Sequence, residues 1–113
     1  MTIEEFVISY LGEELEGITV SGSVRHPMPK KFVTVELIGS ETVNYITSAT
    51  LSVQSWAETR AEAAELDEAV KSAMEGILSE PEISSSTVKS YNNPDLSTNK
   101  PRYKAVCEIT YNL

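Results

Sequence analysis

The sequence has little that could support catalysis or metal binding. It contains one cysteine and one histidine among 113 residues, so an internal disulfide is impossible and a closed zinc site would need several carboxylate ligands. Its five glycines match neither a phosphate-cradling loop nor a dinucleotide fingerprint. His26 lies beside Pro27 in a basic loop, without a nucleophile or an orienting carboxylate near it, and is interpreted as a solvated residue. We therefore expect no catalytic residues, cofactor or metal, and no enzyme activity.

Basic residues are also scarce. Nine lysines and arginines stand against seventeen acidic residues, and the net charge is −8. Because nucleic-acid affinity comes mainly from cationic side chains that neutralise phosphates, specific DNA or RNA binding is not expected, nor is binding to an anionic membrane. No apolar run approaches the roughly 18 residues that span a bilayer, and the acidic start Met1–Glu5 argues against a secretory signal.

Two helices are predicted from apolar residues at three- and four-residue spacing. The first covers residues 2–16, where Thr2 and Glu5 have capping-box spacing and Gly17 can end the helix. The second begins at Thr59, with Glu62 completing a second capping box, and stops before Pro81. Its predicted buried stripe is Ala63, Leu66, Val70, Ala73, Met74 and Ile77.

Five strands are predicted from alternation and β-branched content. They cover 18–24, 32–38, 46–56, 87–91 and 103–111. Gly39–Asn44 is interpreted as a turn or extended loop, and Asn92–Pro101 as a polar loop. The order α-β-β-β-α-β-β predicts one α+β domain over residues 1–113, with two helices packed on one face of a mainly antiparallel or mixed sheet.

Several polar groups are interpreted as ordinary solvated surface. The basic cluster Arg25, Lys30 and Lys31 is read as an exposed turn rather than a phosphate site. Cys107 is expected to be a small buried apolar residue. The carboxylates of the second helix are assigned to a solvated face rather than to a cation site. They are Glu58, Glu62, Glu65, Asp67, Glu68 and Glu75.

Trp56 has two open interpretations. Its same-parity neighbours on the third strand are polar, so the indole either covers the end of the core or contacts another subunit, where aromatic residues are enriched. Tyr45 and Tyr91 are weaker cases of the same kind.

The order of the motifs resembles the tail terminator, or tail completion, proteins of long-tailed bacteriophages and prophages. The resemblance covers residues 27–111. It depends on Phe32–Glu36 followed by Gly39, and above all on Leu51–Ala63. Further on, Asn93–Asp95 precedes Pro101–Tyr103 and the final strand.

The resemblance implies a structural role. Such proteins form a ring, usually a hexamer, on the finished tail tube, stop tube polymerisation, and present a surface to the head–tail connector protein. DNA only passes through the pore. The expected location is the head-proximal end of the virion tail, after synthesis in the host bacterial cytoplasm. A head-closure or connector adaptor and an unrelated small α+β binding domain are the alternatives.

Under this interpretation the two longer loops are the predicted docking surfaces, since loops on a rigid scaffold tend to carry function. Subunit contacts are predicted at Trp56, Arg60, Tyr45 and Tyr91. The docking residues are Gly39, Ser40, Glu41, Asn44, Asn92, Asn93, Asp95, Asn99 and Lys100.

Overall fold

The computed structural model describes all 113 residues and confirms the α+β fold and the predicted element order. The helices are α1 (Ile3–Glu14) and α2 (Arg60–Gly76), and a 3₁₀ turn at Ile77–Ser79 follows α2. The strands are β1 (Thr19–Ser21), β2 (Phe32–Val43), β3 (Ile46–Trp56), β4 (Ile83–Asn92) and β5 (Arg102–Tyr111).

All five strands form one mixed sheet in the order β1-β2-β3-β5-β4. The short β1 runs parallel to β2, whereas every other pair is antiparallel. The sheet therefore has two distinct ends. At one end, which we call the hairpin end, Val43 pairs with Ile46. At the other, Phe32 pairs with Trp56, and Trp56 with Arg102.

The main core lies between the helices and one face of the sheet. Inward residues of α1 and α2 pack on alternate residues of the central strands, which explains why β3 contributes Ala49, Leu51 and Val53 to the core. The opposite face carries the other parity, including Ser52 and Gln54, and no helix covers it. We call it the helix-free face.

Both predicted capping residues are confirmed at the helix starts. The Thr2 hydroxyl accepts from the Glu5 amide at 3.1 Å, and the Thr59 hydroxyl accepts from the Glu62 amide at 3.2 Å. Gly17 follows α1 with φ at +77°, the left-handed conformation that glycine adopts without a steric penalty. The sequence around the caps thus sets where each helix begins.

The strands β1 and β4 differ in length from the predicted strands. β1 ends after three residues because the Ser21 hydroxyl donates to the Ser23 carbonyl at 2.7 Å and turns the chain locally. β4 begins four residues earlier than predicted, since the serine-rich segment 83–86 is part of the strand. Asn92, predicted in the loop, is the last residue of β4.

The prediction of a loop at Gly39–Asn44 is wrong. A β-bulge between Leu37 and Gly39 is followed by five further residues of β2 that pair with β3. Only Asn44 and Tyr45 form the turn, both with positive φ. This stretch of β2 is exposed on both sides, so it lacks the apolar alternation by which a strand is recognised in a sequence.

Neither helix is long and apolar enough to cross a membrane.

Candidate interaction surfaces

Trp56 belongs to a small cluster on the helix-free face. Its side chain is only 4% exposed and stacks on Phe32, with ring centroids 5.2 Å apart. The indole Nε1 donates to Thr34 Oγ1 at 3.0 Å, and the Arg102 guanidinium lies 4.8 Å from the ring centroid. The sequence leaves two placements open for Trp56, and in the structure the indole lies at the edge of the core. Because its ring is buried, the indole is not available for contact with another subunit.

Arg60 remains a candidate contact residue by position. It is the first residue of α2, it is exposed, and it forms no ion pair within the chain. Its guanidinium is therefore free to meet a carboxylate of another molecule.

Tyr45 is fully exposed at the tip of the β2–β3 hairpin. Asn44 and Tyr45 have φ of 52° and 68°, the two left-handed positions of a tight hairpin turn in which glycine normally occupies the second place. A tyrosine there is strained by about 1–2 kcal/mol relative to glycine. Exposed Val43 and Ile46 flank the tip. Together the three side chains form an apolar projection, which we call the hairpin tip.

Tyr91 is half exposed on the edge strand β4. Its partner in the sheet is Lys104, which pairs with Gln54 on β3. Tyr91 therefore lies on the helix-free face, at the opposite edge of the sheet from β2.

The second predicted docking loop, residues 93–101, is closed on itself. The amide of Asn93 donates to Arg102 O at 2.9 Å, and that of Asp95 to Lys100 O at 3.1 Å. The Asp95 carboxylate accepts from the hydroxyls of Ser97 and Thr98. The Thr98 bond is the largest influence that lowers the pKa of Asp95. Asn99 takes a left-handed φ of 57° in this loop.

The two predicted docking regions lie at opposite ends of the sheet. The hairpin tip follows the Val43–Ile46 pair, whereas loop 93–101 follows the Asn92–Tyr103 pair. The molecule measures 43 Å along its longest axis and 26 Å across. A single copy therefore presents two well-separated surfaces.

Most cations lie near the end that carries loop 93–101, which we call the basic end. The exposed cluster Arg25, Lys30 and Lys31 precedes β2, whose first residue lies at that end. Arg102 is the first residue of β5 and Lys100 lies just before it, while Lys31 contacts Glu62 at 3.5 Å. The molecule thus has a basic end although its net charge is −8.

The prediction that Asp67 lies on a solvated helix face is wrong. Its side chain is buried against the sheet, where Oδ1 has no hydrogen-bond partner. Lys71 Nζ lies 3.9 Å from Oδ2 but only 2.8 Å from Glu68 Oε1. Burial is the main influence that raises the pKa of Asp67, and the Ser90 side chain and, less strongly, Lys71 oppose it. The helical spacing of Asp67 from Val70 and Met74 could have indicated its inward direction.

Cys107 is buried in the centre of β5 as expected. Burial, with a smaller contribution from Asp67, raises its pKa to about 12. The thiol is therefore protonated at neutral pH, and it is a poor nucleophile because the thiolate is the reactive form.

Polar residues line a shallow depression of about 400 Å³ on the helix-free face. Its carboxylates are Glu41 and Glu108, and the other lining residues are Gly39, Ser40, Ser48 and Thr50. No group of three or more His, Cys, Asp or Glu side chains in the chain could hold a metal ion.

No protein-family model matches the sequence, and a search of curated proteins finds no match.

Proposed function

We propose that the protein is a structural part of a long-tailed phage that assembles as a ring on the end of the tail tube. The sequence resemblance suggests the role. The strained, fully exposed Tyr45 is the observation that carries it in the structure. Residues held in costly backbone conformations concentrate where function requires them, and Tyr45 has no structural use that glycine would not serve better.

The separation of the two surfaces supports a part that joins two different neighbours. In a ring whose strands run from one rim to the other at a tilt to the axis, every hairpin tip lies on one rim and every basic end on the other. An apolar, aromatic rim and a basic rim differ in chemistry, so each would select its own partner. The tail tube and the head–tail connector are the proposed partners.

The acidic net charge is compatible with a pore through which DNA slides, because cationic contacts would hold phosphates. This role would require the basic residues to sit on the rim rather than in the channel. Their concentration at one end of the sheet agrees with that arrangement.

Deletion of the gene in its phage tests the proposal directly. Electron microscopy of the lysate should show overlong tail tubes and unattached, DNA-filled heads. Supplying the intact gene in trans should restore tails of uniform length. Tails of normal length that still lack heads would favour the head-closure alternative, and fully joined virions would exclude both roles.

A further inference from the structure

The sheet has two edges that no segment of the chain fully covers. On one side β1 pairs only with residues 32–34 of β2. Further along β2, the Glu4 carboxylate accepts a hydrogen bond from the Leu37 amide at 2.9 Å and closes this part of the edge. From Gly39 to Val43 nothing in the chain pairs with the outer side of β2, and β4 is the last strand on the other side.

The strand directions make these two edges compatible. β2 is antiparallel to β3, β3 to β5 and β5 to β4, so β4 runs opposite to β2. A second copy placed beside the first in the same orientation therefore brings an antiparallel pair of edges together. Open edges are templates for pairing of this kind.

The charges on the two edges are complementary. Glu41 is the only charged residue of Gly39–Val43, and Lys89 is the only one of β4. Both are exposed, and neither forms an ion pair within the chain. Glu41 pairs with Ser48, and Lys89 with Val106, so both lie on the helix-free face.

We propose that β4 of one copy pairs antiparallel with Gly39–Val43 of the next, with Lys89 opposite Glu41. The incoming strand must stop where Glu4 and β1 close the edge, so only the carboxyl half of β4 can lie along Gly39–Val43. In this register Tyr91 lies opposite Gly39, where the missing Cβ leaves room for the ring.

This inference deepens the proposed function, since it supplies the contact between subunits of the ring. The contact is heterologous: each copy gives β4 and receives a neighbour on β2. Repetition either closes a ring or extends a filament.

Charge reversal tests the contact in the full-length chain. An opposite-charge pair directly across two strands is favourable, whereas a like-charge pair is unfavourable. Glu41→Lys or Lys89→Glu alone should weaken self-association about tenfold, and the double reversal should restore it. Sedimentation equilibrium measures the change.

Glu36→Lys is the matched control. It makes the same charge change on the same strand and face, but beside the part of the edge that Glu4 closes. It should leave self-association unchanged. An effect as large as that of Glu41→Lys, or no rescue by the double reversal, would overturn the proposed register.

Disulfide trapping gives an independent test. Glu41→Cys and Lys89→Cys in one chain lie at opposite edges of the sheet, so mild oxidation can join them only between copies. Directly opposite residues of antiparallel strands have Cα atoms about 4.5–5.5 Å apart, which suits a disulfide. The expected product is a covalent ladder that ends in a closed ring, while the pair Glu36→Cys with Lys89→Cys stays uncrosslinked.

The two proposals fail in different ways. A native oligomer without crosslinks would overturn the edge pairing and leave the tail role intact. Crosslinked rings together with a deletion mutant that makes normal virions would overturn the tail role alone. A chain that stays monomeric at high concentration and gives no crosslink would also overturn the edge pairing.

Discussion

The indole of Trp56 donates its only hydrogen bond to the hydroxyl of Thr34, on the neighbouring strand. That hydroxyl donates in turn to Gln54 Oε1 at 2.8 Å. The three residues form a short polar chain on the helix-free face, bounded by the Phe32 ring and the Arg102 guanidinium. The sheet therefore has a second, smaller core at its basic end, on the face that the helices leave uncovered.

Removal of the Thr34 hydroxyl should destabilise this second core. Thr34→Val leaves the buried indole N–H without an acceptor, and such an orphaned group costs about 1–3 kcal/mol. Thr34→Ser retains the hydroxyl and should cost less. Trp56 is the only tryptophan, so urea unfolding followed by its fluorescence measures both variants. Equal losses for serine and valine would show that the hydrogen bond contributes nothing.

Asp67 should make stability depend on pH. Its pKa is raised in the folded protein above the ordinary value of 3.8. Below pH 3.8 the carboxyl is protonated in both states and folding is not penalised. As the pH rises through the raised folded pKa, burial disfavours the charge and stability falls. The facing ionisable groups are Lys71, Glu68 and Cys107.

Asp67→Asn is the corresponding variant. It should be more stable than the natural protein at pH 7, and the difference should shrink as the pH falls towards 3.8. Glu65→Gln is the control, because that side chain is exposed, forms no ion pair and does not influence the pKa of Asp67. Urea midpoints measured across the pH range check both variants. A difference that did not change with pH would exclude Asp67 ionisation as the cause.

Replacement of each of two glycines by alanine should change the stability of the protein in opposite directions. Gly17 has φ at +77°, so Gly17→Ala forces an L side chain into a left-handed conformation and should cost about 1–2 kcal/mol. Gly12 lies within α1, and a Cβ there meets nothing within 4 Å. Gly12→Ala should therefore stabilise by about 1 kcal/mol. Thermal unfolding distinguishes the two changes by their sign.

Tyr45→Gly should separate stability from function. The substitution relieves the left-handed strain and should stabilise the chain by about 1–2 kcal/mol, yet it removes the aromatic ring of the hairpin tip. We expect fewer joined virions when the variant complements a deletion phage.

Tyr45→Phe is the matched control for the hairpin tip, because it keeps an aromatic ring at the same left-handed position. It should complement fully. If Tyr45→Gly complemented equally well, the ring would have no role in docking.

The sequence predicts the parts of the fold where one face is buried and the other is wet. The helical stripe of α2 is of this kind and is confirmed, as is the inward direction of Ala49, Leu51 and Val53 on β3. Ser52 and Trp56 are also buried, on the other face of β3, and alternation alone does not indicate this. The extension of β2 beyond Leu37 is solvated on both faces, so no periodicity marks it. Its pairing is imposed by β3, a contact between distant positions that local patterns do not contain.

The surfaces were harder to predict than the fold. Trp56 has polar neighbours along its own strand, and its burial comes from Phe32, a residue of another strand that is opposite in the sheet. Asp67 is predicted to be solvated because it belongs to the acidic residues of an amphipathic helix. In both cases the side chain is buried by residues of another element of secondary structure. Tyr45 is predicted as a contact residue from its residue type alone, and its strained backbone becomes visible only with the turn geometry.

Because Cys107 is buried, alkylation of its thiol reports how often the central strands of the sheet separate. The thiol lies at the centre of the sheet with a pKa of about 12, so an alkylating reagent can label it only after strands separate. The alkylation rate under native conditions measures this opening, and mass spectrometry detects each labelled molecule by a single mass increment. Neighbours bound at both sheet edges should lower the alkylation rate of Cys107 without contacting the thiol.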